Sequence, residues 1–155
     1  MSVVVLSQAR LPGVRSARVR SDAAAVLAAM EQKRAELTVV LVDDAAIQVL
    51  NRGYRKKDAP TDVLAFAMRE GLRVAGDEHG LGDVVISLET AARQARRRRK
   101  PLEAEVRTLL IHGILHLLGY DHERSEPEAK RMRAAERRLS RSLKALVTTS
   151  RSTRR

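Results

Sequence analysis

The sequence predicts an α+β domain, close to α/β in character: a small mixed four-stranded sheet packed with about five helices, one of them central and buried. Three observations predict it. Short β-branched runs alternate with stretches of helical periodicity in the order β-α-β-α-β-β-α-α-α. At 155 residues and 44% hydrophobic content, the chain is long enough for one buried core. The run from Leu109 to Leu118 is apolar at every position except two histidines and Gly113, so its helix is buried nearly all round.

Each element has its own local signal. Residues 2–6 read as a strand. Ser21-Asp22 offers an N-cap for a helix reaching about Lys33, with Ala23, Val26, Leu27 and Met30 on one face. Residues 37–42 form an unbroken leucine and β-branched run, the pattern of a buried strand. Asp43-Asp44 caps a helix over residues 45–52, with Ile47 and Leu50 inward and Gly53 closing it. A polar connection from Tyr54 to Asp62 leads to a strand over 63–68. Residues 69–82, with Gly71, Gly76, Gly80 and Gly82, read as a loop or hairpin connection. His79 lies in it and has no assigned role.

Residues 84–86 give a strand, and Ser87 caps a helix beginning at about Leu88. That helix runs into Arg96-Arg97-Arg98-Arg99-Lys100, whose charge suits the negative end of the helix dipole, and stops before Pro101. Pro101 opens the central helix, with Glu103 and Glu105 in its first turn. Ser125 and Glu128 fit a capping box for a last helix that lines up Met132, Ala135, Leu139, Leu143 and Leu146. A single domain over residues 1–146 and a basic, disordered tail over 147–155 are expected.

With no cysteine, disulfides and thiolate ligands are excluded, and any metal must be held by His, Asp or Glu. The apolar start is too short for a signal peptide, and no run is long enough to cross a bilayer. The expectation is a cytoplasmic protein with no membrane partner. The charge of +11 is unevenly placed: residues 93–100 hold six basic groups and no acid, and residues 123–155 hold eleven basic against four acidic. The rest of the chain is nearly neutral. A polyanion, most commonly a nucleic acid, is the natural partner, and a solvated arginine-rich surface is the bland alternative. Only three aromatic residues are present, so phosphate and shape contacts outweigh base stacking.

Three of the four histidines, His112, His116 and His122, fall close together. His112 and His116 sit one turn apart on the same helix face. Gly119 ends the helix in the left-handed conformation and lets His122 turn back toward them. The central buried helix therefore carries the metal ligands of a tridentate site with one position open, the catalytic arrangement for zinc. Three unpaired imidazoles buried without a metal would cost free energy with nothing to offset it. The spacing His-x-x-x-His-x-x-Gly-x-x-His matches the metzincin proteases, except that Gly113 stands where those enzymes place their glutamate base. A peptidase is disfavoured. Zinc can still lower the pKa of a bound water to about 7 without a carboxylate base.

The run His112-Gly113-Ile114-Leu115-His116-Leu117-Leu118-Gly119-Tyr120-Asp121-His122 resembles the signature of the YbeY family of bacterial endoribonucleases. Leu50-Asn51-Arg52-Gly53-Tyr54-Arg55 with Lys57-Asp58, then Pro60-Thr61-Asp62-Val63-Leu64-Ala65-Phe66, match in order and separation. So do Leu81-Gly82-Asp83-Val84-Val85-Ile86 and Lys100-Pro101-Leu102. The likeness covers about residues 37–140.

The resemblance implies a single-strand-specific, metal-dependent endoribonuclease that matures the 3′ end of small-subunit ribosomal RNA and acts in ribosome quality control. It implies one zinc on His112, His116 and His122, with Arg55 as the catalytic or phosphate-binding residue. Lys56, Lys57, Arg97, Arg98 and Arg99 are the further candidates for RNA contact. The nucleophile is either a metal hydroxide or a ribose 2′-hydroxyl. Implied partners are ribosomal RNA and the small subunit, with ribosomal proteins or an assembly GTPase as protein candidates and a monomer as the oligomeric state. Two departures stand out: Ala65 and Ala67 replace the serine and proline usual in the family, and the C-terminal helix and tail are basic where many relatives are acidic. Other readings are a non-catalytic assembly factor with a structural zinc and, more remotely, a metalloprotease.

Overall fold

A computed structural model gives the fold and describes residues 1–68 and 80–152. Its elements are β1 (Ser2–Ser7), α1 (Ser16–Ala29), β2 (Glu36–Val42), α2 (Asp44–Arg55), β3 (Val63–Ala67), β4 (Gly80–Ser87), α3 (Leu88–Arg98), α4 (Leu102–Leu117) and α5 (Glu126–Ser152). The four strands form one mixed sheet in the order β1-β2-β4-β3. β1 and β4 pair parallel with β2, while β3 runs antiparallel along β4 and forms an outer edge. The expected α+β class, with four strands and five helices, is borne out among the described residues.

The period of two along each strand separates two apolar clusters. Leu37, Val39 and Leu41 of β2, with Val84 and Ile86 of β4, face α1, α3, α4 and α5 in the main core. Val42 and Val85 face the other way and meet Ile47 of α2, with Leu50 and Phe66 at the margin. So α2 covers one face of the sheet and four helices cover the other. α4 lies deepest, with Ile114 and Leu115 both 0% exposed. Each such side chain contributes roughly 1.5–3 kcal/mol by leaving water.

Local chemistry explains most element boundaries. Asp43 caps α2 by accepting from the Ala46 N–H at 2.9 Å. Ser87 caps α3 through the Thr90 N–H, and Ser125 Oγ accepts from the Glu128 N–H at the start of α5. Four boundaries differ from expectation. α1 ends at Ala29, short of Lys33, as the chain turns through Glu31 in the left-handed region (φ 58°). α1 begins at Ser16, not at Ser21-Asp22, because Asp22 is a buried partner and not a cap: it accepts from Arg18 Nε at 3.1 Å and Arg107 Nε at 3.3 Å. Gly53 does not close α2, which runs on to Arg55 and turns at Lys56 in the left-handed region (φ 58°). β4 starts at Gly80, within the stretch read as a connection, while residues 69–79, His79 among them, lie outside the described residues.

Leu146 is also a correction. It is 57% exposed, whereas Met132, Ala135, Leu139 and Leu143 are buried as the pattern indicated. Helical backbone continues to Ser152, into the segment expected as a tail. No helix among the described residues is long and apolar enough to cross a membrane.

Candidate metal centre

The end of α4 is built to return the chain on itself. The Gly119 N–H bonds to His116 O and the Tyr120 N–H to Leu115 O, both at 3.0 Å, the paired bonds of a Schellman turn. Gly119 carries the positive φ (96°) that this turn requires. The Glu123 N–H then donates to Asp121 Oδ1 at 2.8 Å, fixing the loop that presents His122. The result is convergence. His112 Nε2 and His116 Nε2 are 3.0 Å apart, and one nitrogen from each of His112, His116 and His122 lies within 4.8 Å of the others.

These three imidazoles could hold a metal ion. A tetrahedral ion with bonds of ~2.0–2.1 Å to nitrogen needs its ligand atoms roughly 3.4 Å apart, so ring shifts of about 1 Å would close this set round it. Protonation favours the ligand form too. Burial, with the neighbouring His112 and His122, holds the His116 imidazole below its ordinary 6.5, leaving a neutral ring with a lone pair at neutral pH. On the far side of His112, Nδ1 faces Glu136 Oε2 of α5 at 3.8 Å, the kind of outer carboxylate that orients a ligating imidazole. Nothing near residue 112 in the sequence points to Glu136, because the contact joins two helices.

Gly113 explains why the peptidase base is missing. A Cβ there would sit 2.7 Å from Val84 Cγ1 and 3.3 Å from Val63 Cγ2, so any side chain at 113 would force these packed valines to shift. The glutamate of the protease pattern is excluded by packing.

The histidines line a cleft of about 670 Å³ whose other wall is formed by Arg55, Lys57, Asp62 and the β3 residues Val63, Ala65 and Ala67. Arg55 comes from α2, on the opposite face of the sheet, and reaches round the β3 edge. Its Nη2 donates to Ala65 O at 2.7 Å, and its guanidinium carbon lies 4.9 Å from the Phe66 ring centre. Asn51, 5% exposed, donates from Nδ2 to Ala59 O at 2.9 Å and so fixes the loop that carries Lys57. Asp62 accepts from the Val63 N–H at 2.8 Å and from Gln94 Nε2 at 3.2 Å. Asn51 and Asp62 were legible only as members of quoted motifs, without a role.

The remaining basic candidates lie apart from this cleft. Lys56 is exposed at the α2 turn and does not line it. Arg98 is engaged by Glu105 at 2.9 Å, Arg99 caps α3 in the left-handed region, and Arg97 lines a shallow depression with Arg93 and Arg96. Glu105 precedes His116 by three turns of α4, about 16 Å along the axis.

Comparison with known proteins meets the same geometry from outside. Endoribonuclease YbeY of Aquifex aeolicus is 46% identical over 136 residues, spanning 85% of this chain and 86% of the relative. That of Geobacter metallireducens is 44% identical over 140 residues, spanning 90% and 93%. That of Syntrophotalea carbinolica reaches 54% over 106 residues, spanning 68% and 71%. The solution structure of a Thermotoga maritima protein superposes with a TM-score of 0.64 at 24% identity, covering 96% of this chain and 93% of that one, a likeness of fold. Residues 8–144, which hold the whole cleft and its three histidines, match the family described as Endoribonuclease YbeY, and the chain belongs to it.

Proposed function

We propose that the cleft is a zinc-dependent, single-strand-specific endoribonuclease centre acting in 3′-end maturation of small-subunit ribosomal RNA and in ribosome quality control. The observation that carries this reading is the meeting, in one cleft, of three convergent imidazoles with Arg55 and Lys57. His112, His116 and His122 hold one zinc. When bound, zinc supplies Lewis acidity to a phosphate oxygen and lowers the pKa of a water. Arg55 is the catalytic residue among the cations: its planar fork matches two phosphate oxygens, and the bond to Ala65 O sets its position on the rim. Lys57 adds charge at the same rim, while Lys56 and the α3 arginines Arg97, Arg98 and Arg99 draw RNA from further away.

The domain reading keeps residues 1–146 as the catalytic unit, with the basic segment 147–155 adding affinity for RNA. Small subunits carrying precursor RNA are the site of action in the cytoplasm, with ribosomal proteins or an assembly GTPase as protein partners and a monomer as the working form. The test combines elemental analysis with cleavage of a short ribosomal RNA 3′ fragment by wild type, His116→Ala and Arg55→Ala. Wild type is expected to carry about one zinc and to cut, His116→Ala to lose both, and Arg55→Ala to keep the metal and lose cutting. A zinc-loaded wild type that binds RNA and never cuts it would sink the enzymatic reading.

A further inference from the structure

The two walls of the cleft are unlike. One bears imidazoles, and the other is the outer edge of a β-strand. Backbone groups along an antiparallel strand alternate between its two sides, so two residues of one parity share a direction. Four contacts set that parity in β3. Asp62 O accepts from the Ser87 N–H at 2.9 Å, and Phe66 O lies against Gly82, so the even residues turn toward β4. The Val63 N–H goes to the Asp62 side chain, and Ala65 O to Arg55, so the odd residues turn outward. Val63, Ala65 and Ala67 thus form the non-hydrogen-bonded pairs with Ile86, Val84 and Gly82.

Val63 O and the Ala65 N–H therefore form an outward row of acceptor and donor beside the histidines. Successive odd residues stand ~7 Å apart. Their side chains are small at 65 and 67, which keeps the groove open down to the backbone. Edge groups of this kind pair readily with an incoming chain.

We propose that this β3 edge is the base-reading subsite of the cleft, pairing its backbone N–H and C=O groups with the nucleobase edges of single-stranded RNA. The inference rests on the endoribonuclease reading above and adds the residues that read the strand. Arg55 and Lys57 border the row, so a phosphate held there leaves its base free to swing onto the strand edge. Unpaired bases expose their Watson–Crick edges, which paired bases do not, so a backbone edge favours single strands. It also supplies recognition in a chain with few aromatic residues for stacking.

Proline tests this directly, because it deletes one N–H and is tolerated where that N–H leaves the ladder. Ala65→Pro is compared, as a zinc-loaded protein, with wild type and with Ala67→Pro, which restores the residue usual in the family and serves as the control for proline on this edge. The readouts are zinc content, thermal midpoint, steady-state cleavage of single-stranded RNA, and binding of 2′-O-methyl oligonucleotides with bases or with abasic positions. The expected result for Ala65→Pro is unchanged zinc and thermal midpoint, KM raised about three- to tenfold, and weaker binding only where bases are present, with Ala67→Pro behaving as wild type. Changed preference among A, C, G and U oligomers should accompany it. Leu64→Pro, which removes a ladder bond, is expected to lower the midpoint, confirming the parity. A folded Ala65→Pro variant with wild-type KM and base preference overturns the inference and leaves the endoribonuclease reading standing. An extended peptide that loses binding in this variant while RNA does not would assign the edge to a protein strand and overturn it too. Failure of wild type to bind or cut RNA would remove the reading on which it rests.

Discussion

At the N-terminal end of α4, Glu105 is 0% exposed and is held by Arg98 Nη1 and Lys100 Nζ, each at 2.9 Å. At the other end, His112 and His116 face each other at 3.0 Å with His122 beside them, and no carboxylate stands between the three rings. Both ends place polar groups in an otherwise apolar helix. The first is satisfied within the chain, as buried charge must be. The second turns ring nitrogens toward one another, an arrangement that could hold a metal ion. One end of the helix therefore serves stability and the other serves ligand binding, and substitutions should separate the two.

The largest effect is expected at the histidine end. His116→Ala should lower metal affinity by more than the 10–100-fold that losing an outer partner costs, and abolish cleavage. The metal-free protein should keep its thermal midpoint nearly unchanged, because His116 is only partly buried and gives up one hydrogen bond with a neighbouring ring. Elemental analysis and calorimetry of the metal-free form check both halves. Glu105→Ala should do the reverse. It removes the anchor of two cations and costs about 3 kcal/mol, the low end for a buried pair because Arg98 and Lys100 can turn to solvent. Urea midpoints would show the loss while metal affinity stays at the wild-type value.

Glu136→Ala lies between these in kind. It should weaken metal binding about 10–100-fold in a chelator competition, with Glu136→Gln recovering part of the loss. Equal affinities in all three proteins would dismiss the contact to His112 Nδ1 as incidental. The smallest effect concerns Asp44, away from both ends. Burial alone would raise its pKa, but hydrogen bonds from Ser87, Thr90 and Arg93, with the Arg93 charge, bring it below the ordinary 3.8. Its stabilisation is complete above 3.8 and is lost as pH falls through the lower folded value. Wild type should therefore lose more stability as pH falls below 3.8 than Asp44→Asn does, by urea midpoint.

How far these features were legible in the sequence follows the distance over which each is determined. Caps act within one turn, so Asp43, Ser87 and Ser125 could be read directly. The three histidines are set by a helix period and one glycine turn, which are equally local. Asp22 was misread as a cap because its partner Arg107 lies 85 positions away. Gly53 was read as a terminator, but the Lys57 N–H reaches Asn51 O and the chain turns at Lys56 instead. The direction of the β3 backbone groups depends on register with β4, which no pattern of side-chain types specifies.

The close approach of α4 to the sheet at Gly113 has an evolutionary consequence. A zinc peptidase and this chain share a histidine pattern that differs at one position, so a single codon change looks like a bridge between them. It is closed by packing: a glutamate introduced at residue 113 meets Val84 before it meets solvent. Crossing from one chemistry to the other would first require smaller residues at 84 and 63 or a wider gap between helix and sheet. In this lineage the backbone spacing, set by a missing side chain, limits which reactions descendants of the fold can reach.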